Sequence, residues 1–247
     1  MKVIEIQAKS ILSKSKVQAY ALNPYVGCEH DCSYCYARFM KKFTQHDEAW
    51  GNFVDVKINA PEILKKEVLK KKKGKVWISG TCDPYQALEN KYQLTRKCLE
   101  ILSKYDWPVI IQTRSPLALR DLDVFQSFKD LEIGFSIPTA NDKVREIFEP
   151  QAPSISDRLE ALKQLKNVGL RTYAMIAPIL PRSEYLIKSL NGSVDHILID
   201  KLNYNYADHI FKKLNREQYL KPEYFRETAN HLASECKLHG ISYRVTF

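Results

Sequence analysis

The sequence predicts an α/β fold, a partial barrel of six β/α units. Short apolar runs alternate with amphipathic helical stretches along most of the chain, the pattern of parallel strands joined by right-handed crossovers. No repeat, low-complexity stretch or Pro/Gly/Ser linker interrupts the 247 residues. One domain is therefore expected over 1–247, with its core at about 17–201 and a C-terminal helix and segment at 202–247. The residues able to do chemistry fall just after expected strands, at the end of a β/α barrel where reactive loops gather.

The first strand is expected over 18–25, followed by a cysteine loop and a helix from about Tyr36. The stretch 53–58 is strand-like but lies outside the six units. Pro61 can open a helix at its first position, and 61–73 carries Ile63, Leu64, Val68 and Leu69 on one face. Strand 75–80 ends at Thr81-Cys82-Asp83-Pro84. Helix 94–105 places Leu94, Cys98, Ile101, Leu102 and Tyr105 at helical spacing. Strand 109–113, helix 117–128, strand 132–137, helix 156–168 and strand 170–178 follow. A short helix near 184–190 leads to strand 194–201, and helix 222–239 precedes a terminal apolar segment, 241–247.

Hydrophobic residues make up 45% and charged ones 27%, enough for a sizeable core and too patterned for disorder. Lys plus Arg number 38 against 29 acidic residues, a net charge of +9 that favours anionic partners: nucleic acid, a phosphorylated metabolite or an acidic redox protein. No apolar run approaches the ~18 residues of a membrane span, and the start lacks the apolar stretch of a signal peptide. A cytoplasmic protein without membrane attachment is expected, so six cysteines point to metal or redox chemistry rather than disulfides.

Three of them, Cys28, Cys32 and Cys35, lie on one loop as C-x3-C-x2-C, with Tyr34 just before the last. Iron–sulfur clusters normally take four thiolates. Three close cysteines can hold three irons of a [4Fe–4S] cubane and leave the fourth open to the amino and carboxylate groups of S-adenosyl-L-methionine (AdoMet). The competing reading is a structural Cys3His zinc site with His30. His30 lies between the first two cysteines, which makes closure around one ion awkward, and no second CxxC pair exists.

The stretch also resembles the hallmark of the radical AdoMet superfamily, CxxxCxΦC with Φ aromatic. Within it the chain is similar to the spore photoproduct lyase family, also labelled DNA repair photolyase. The resemblance rests on Asn23-Pro24-Tyr25-Val26-Gly27-Cys28 through Tyr34-Cys35-Tyr36-Ala37, on Asp83-Pro84-Tyr85-Gln86, and on Leu94 through Glu100. It continues through Phe135-Ser136-Ile137, Phe148-Glu149-Pro150, Arg158-Leu159-Glu160-Ala161 and Ala177-Pro178-Ile179.

The resemblance implies a TIM-like barrel of the radical SAM type, a [4Fe–4S] cluster on Cys28, Cys32 and Cys35, and AdoMet as cofactor. It places backbone groups around Tyr34 at the adenine and Tyr36 against cluster and cofactor. The turn of Ser79, Gly80, Thr81 and Asp83 would receive the AdoMet amino group. Arg114 would take its carboxylate, for which a guanidinium fork is suited, and Ser136 would add a polar contact. The lyases proper carry a hydrogen-donating cysteine three positions before the aspartate. Here that position is Gly80; Cys82 on the same turn is either a candidate hydrogen-atom donor or a small loop filler, the filler being the expectation. A thymine-dimer repair activity is therefore not expected, whereas reductive AdoMet cleavage and hydrogen abstraction from a nucleic-acid or other anionic substrate are. A low-potential ferredoxin or flavodoxin would supply the electron. The alternative is an iron–sulfur or zinc nucleic-acid-binding module without turnover; an electron carrier would normally have four thiolates.

Other features have plain readings. Cys98 and Cys236 fall on apolar helix faces and are expected in the core. Asp83 begins a turn, Arg158 is expected to pair with Asp157, Glu160 or another surface acid, and the lysines of 65–75 form a solvated face. Tyr204, Tyr206, Phe211 and Tyr219 interleave with Lys201, Lys212, Lys213 and Arg216. Such aromatics can stack bases, but completing a core under a basic surface is the expectation. His46, His196, His209, His231 and His239 show no metal-like pairing.

Overall fold

The computed structural model describes residues Met1–Phe247, which pack as two compact units. The first comprises residues 1–31 and 37–133, the second residues 32–36 and 134–247.

The first unit begins with strands β1 (Lys2–Ile6), β2 (Leu12–Lys14), β3 (Tyr20–Leu22), β4 (Tyr25–Val26) and β5 (Phe53–Lys57). The expected strand 18–25 is thus cut in two at Asn23-Pro24, because proline offers no N–H to a ladder. β3 lies parallel to β6 (Val76–Ile78), itself parallel to β7 (Val109–Thr113), with β2 antiparallel on the outer side. β4 instead joins a small second sheet, antiparallel to β5, whose other neighbour is the parallel β1. The strand-like stretch at 53–58 is therefore a true strand outside the main sheet.

Helix α1 (Ala60–Lys70) has Pro61 in its first turn, buries Leu64 and Val68, and turns its lysines outward as expected. After the single turn α2 (Glu89–Tyr92), helix α3 (Leu94–Lys104) buries Leu94, Cys98, Leu99, Ile101 and Leu102 and packs against α1. Where one helix was expected over 117–128, Ser115 caps a 3-10 turn, Pro116–Asp121, that passes into α4 (Leu122–Phe125). His46, read as ordinary, is buried between Glu48 at 3.0 Å and Asp55 at 2.7 Å, stacks on Phe53, and ties its loop to β5.

The boundary between the units falls within β8 (Leu131–Ser136). In the second unit the strand order is β8, β9 (Arg171–Ile176), β10 (His196–Ile199), β11 (Ser242–Val245), with β9, β10 and β11 parallel. Gly134 lets the ring of Tyr173 lie across β8, since a Cβ there would come within 2.2 Å of it. Helices α5 (Asp142–Phe148), α6 (Ile155–Asn167), α7 (Leu186–Leu190), α8 (Asp208–Lys213) and α9 (Pro222–Leu238) complete the unit. The sequence pattern did not announce α5: it has seven residues and fully buries only Phe148. Helix α9 buries Phe225, Ala229, Leu232 and Cys236, the apolar face expected. β3, β6, β7, β8, β9 and β10 are the six strands of the predicted β/α units, and the α/β class holds. No helix is long and apolar enough to cross a membrane.

Candidate active site

The cysteine loop is built from residues that leave the chain little choice of path. Gly27 has a φ of +93°, and a Cβ there would lie 2.2 Å from the carbonyl oxygen of Phe53. Only glycine permits this approach to β5 just before Cys28. Glu29 follows: its N–H donates to Gln86 Oε1 at 3.0 Å, and its carboxylate accepts from the Leu88 N–H at 2.7 Å. Asn23 accepts from both the N–H and the hydroxyl of Thr81 at 3.0 Å. The Lys57 ammonium donates to the Asn23 carbonyl at 2.8 Å. Tyr25 is buried, with its hydroxyl on Glu89, a carboxylate that also takes Thr95 N–H, Arg96 N–H and Arg120. The Asn-Pro-Tyr-x-Gly run thus anchors the approach to Cys28.

Asp83 is the junction of these segments of the first unit. Its Oδ1 accepts from the Tyr85 N–H at 2.9 Å and the Thr113 hydroxyl at 2.6 Å. Its Oδ2 accepts from the Arg114 N–H at 2.7 Å and lies 3.2 Å from Nε2 of the buried His30. Burial pushes the carboxyl upward, but His30, Thr113 and the Tyr85 amide outweigh it and hold it at about 2. One ionised side chain therefore joins the cysteine loop, the turn after β6 and the end of β7. Ser79, with φ of +60°, Gly80 and Thr81 precede it on the turn, and the half-buried Arg114 directly follows Thr113 at the end of β7. His30, the proposed fourth zinc ligand, is turned onto Asp83 instead.

Gly80 stands against Trp77, whose ring a Cβ there would meet at 3.0 Å. Cys82 packs against the apolar cluster of Tyr25, Val54, Val56 and Leu94. Burial pushes its thiol up to about 11, so it is neutral at physiological pH.

The second unit fixes the other two cysteines. Cys32, Tyr34 and Cys35 pack with Phe148, Leu180, Ala207 and Phe211. The Ser33 N–H donates to the Phe148 carbonyl at 2.8 Å, and the Cys35 N–H to the Cys32 carbonyl at 3.1 Å. The Tyr34 hydroxyl meets the buried Glu149. Glu149 is paired at 2.6 Å with Arg158, whose guanidinium also donates to the carbonyls of Ser136 at 3.0 Å and of Pro153 at 2.8 and 3.0 Å. The surface-acid partner expected for Arg158 is corrected by this buried pair: its carboxylate belongs to the Phe-Glu-Pro motif. Tyr36, expected against the cofactor, is partly exposed and stacks on Tyr204.

All six cysteines carry thiols, with Cys28 and Cys35 half-buried and Cys32 buried. Three soft sulfur donors within eight residues suit iron–sulfur ligation. The buried Ser33 hydroxyl, between two of them in sequence, has no hydrogen-bond partner in the protein, as a group meant for a bound cluster would. No three His, Cys, Asp or Glu side chains gather as on a single ion; thiolates of a cubane each bind a different iron.

The family model of the radical SAM superfamily matches residues 22–184, and the chain belongs to that superfamily. Its fold is that of spore photoproduct lyase: a double mutant with bound AdoMet and dinucleoside spore photoproduct superposes with a TM-score of 0.72 at 15% identity, over 99% of this chain and 82% of that one. An uncharacterized protein of Methanocaldococcus jannaschii is 34% identical over 238 residues, 94% of this chain and 89% of the relative. A protein of Pseudomonas phage M6 named radical SAM Nα-GlyT isomerase is 22% identical over 166 residues, 66% of this chain and 34% of its own length.

Sequence reasoning did not single out Glu149, Glu29, Gln86, Asn23 or the His30–Asp83 pair as parts of the site. Most of them sit inside the motifs that carried the family resemblance, which was the available signal.

Proposed function

We propose that this chain cleaves AdoMet reductively and uses the resulting radical to take a hydrogen atom from a nucleoside-containing substrate. Cys28, Cys32 and Cys35 would each hold one iron of a [4Fe–4S] cluster, leaving the fourth for AdoMet. When bound, the reduced cluster supplies the electron that breaks the C5′–S bond of AdoMet and yields methionine and a 5′-deoxyadenosyl radical. The turn of Ser79, Gly80 and Thr81 would receive the AdoMet amino group, and the Arg114 guanidinium its carboxylate. The Tyr34 backbone and Ser136 would contact the rest of the cofactor, beside Tyr36. A low-potential ferredoxin or flavodoxin would deliver the electron, its acidic face drawn to a chain of net charge +9.

The observation that carries this reading is Asp83. It holds the backbone of Arg114 and the loop of Cys28 on one carboxylate, the arrangement needed if cluster and cofactor are to meet. The nucleoside substrate is supported by the dinucleoside in the spore photoproduct lyase neighbour and by the basic charge. Spore photoproduct repair is not proposed, because the position of the donor cysteine is Gly80, closed in by Trp77. Protein reconstituted anaerobically with iron and sulfide, then given dithionite and AdoMet, is expected to form 5′-deoxyadenosine, and Cys32→Ala to abolish it. Retention of zinc without AdoMet binding would favour a binding module instead.

A further inference from the structure

Three tyrosines of the second unit form a ladder. The rings of Tyr36 and Tyr204 stack at 6.4 Å and 20°, and those of Tyr204 and Tyr206 at 5.6 Å and 4°. Tyr36 directly follows Cys35, whereas Tyr204 and Tyr206 lie on the loop after β10. That loop is stiffened by Asp200, which accepts from the Lys201 N–H and the Asn203 side chain, both at 2.9 Å. The core reading of this segment holds for Phe211, which is buried, and for Tyr219, which packs on it. It fails for the ladder, because Tyr36 is 39% and Tyr204 50% exposed.

We infer that the Tyr36–Tyr204–Tyr206 ladder is a stacking platform for the unpaired bases of single-stranded DNA. Aromatic faces bind bases of any sequence, but only where the bases are free of a duplex stack. Charge complements the platform: residues 201–221 hold five basic side chains against two acidic, and all five basic ones are exposed. These would neutralise phosphates while the rings take the bases. Asn203, the amide beside the ladder, already donates to Asp200 and to the Lys201 carbonyl. It is therefore engaged rather than waiting for a ribose 2′-hydroxyl, and DNA is the occupant assigned. The inference rests on the proposed function for the meaning of its place next to Cys35, where a stacked strand would bring a nucleoside to the cofactor.

The test is fluorescence anisotropy with a labelled oligothymidylate on the wild type, Tyr204→Ala, Tyr206→Ala and Tyr204→Phe, each checked for folding by its thermal melt. Losing one stacked base is expected to raise Kd by about tenfold or more in each alanine variant. Tyr204→Phe keeps the ring and is expected to stay within about twofold of the wild type by the same reasoning. Unchanged affinity in the alanine variants overturns the inference. So does equal loss in the phenylalanine variant, tighter binding of a duplex, or preference for oligouridylate. The radical reading is scored separately, by 5′-deoxyadenosine formation in the wild type without DNA. Ring-dependent DNA binding without AdoMet cleavage refutes that reading and leaves the platform standing; cleavage without ring-dependent binding does the reverse.

Discussion

The carboxylate of Asp83 lies 3.2 Å from the imidazole of His30 and accepts the Arg114 N–H at 2.7 Å. Two segments far apart in sequence are thereby set by one buried charge. Asp83→Ala removes every acceptor and strands His30, Thr113 and two amides in the interior. Each such loss costs ~1–3 kcal/mol, so AdoMet affinity of the reconstituted protein should fall by at least about tenfold. Equilibrium dialysis with labelled AdoMet measures this, and undiminished affinity would remove Asp83 from its positioning role.

Arg114→Ala separates cofactor binding from cluster assembly. The backbone bond to Asp83 survives, so the iron content and the cluster absorbance should match the wild type. AdoMet affinity should drop by about tenfold or more, the scale of a lost charge-assisted pair. Equal affinity would contradict the carboxylate assignment.

Glu149→Gln tests the buried pair behind Tyr34. It leaves the Arg158 charge uncompensated in a site without exposure, and breaking such a pair costs ~3–5 kcal/mol. A urea titration of the apoprotein should show the unfolding free energy falling markedly, with a smaller fall, about 1 kcal/mol, for Tyr34→Phe. Comparable effects from the two variants would mean that the Arg158 pair is not what holds this wall.

Glu67 gives a pH signature away from the site. Burial pushes its carboxyl up, but Lys71, the Leu12 and Ile11 amides and the Ser10 hydroxyl outweigh it, so its value is lowered on folding. A depressed carboxylate adds stability above its unfolded value, and this is lost as pH falls through the folded one. Glu67→Gln should therefore be less stable than the wild type at pH 7 and converge with it in acid. A pH-independent difference between their melting temperatures would contradict the linkage.

Cys82 has an apolar seat and a neutral thiol. Cys82→Ala is expected to lower stability by about 1 kcal/mol, the size of a small core truncation, and to leave 5′-deoxyadenosine formation intact. Product loss at undiminished 5′-deoxyadenosine yield would restore it as the hydrogen-atom donor.

The six strands of the β/α units were legible because each is a short apolar run, and the proposed cluster ligands stand out because three thiols share one loop. The cut at Asn23-Pro24 was visible only as a proline. The β1–β5–β4 sheet was not legible, since pairing between residues 2–6 and 53–57 leaves no periodic trace. Glu149 and Glu89 read as ordinary surface acids on composition alone. Their role comes from burial beside Tyr34 and Tyr25, a tertiary fact carried in the sequence only by the motifs that contain them.

The central claim is tested most directly by electron paramagnetic resonance of the anaerobically reconstituted, dithionite-reduced protein, before and after AdoMet is added. A [4Fe–4S]⁺ signal that shifts on addition, vanishes in Cys32→Ala and is followed by 5′-deoxyadenosine is the predicted result. A cluster signal indifferent to AdoMet, with no 5′-deoxyadenosine formed, would contradict the account.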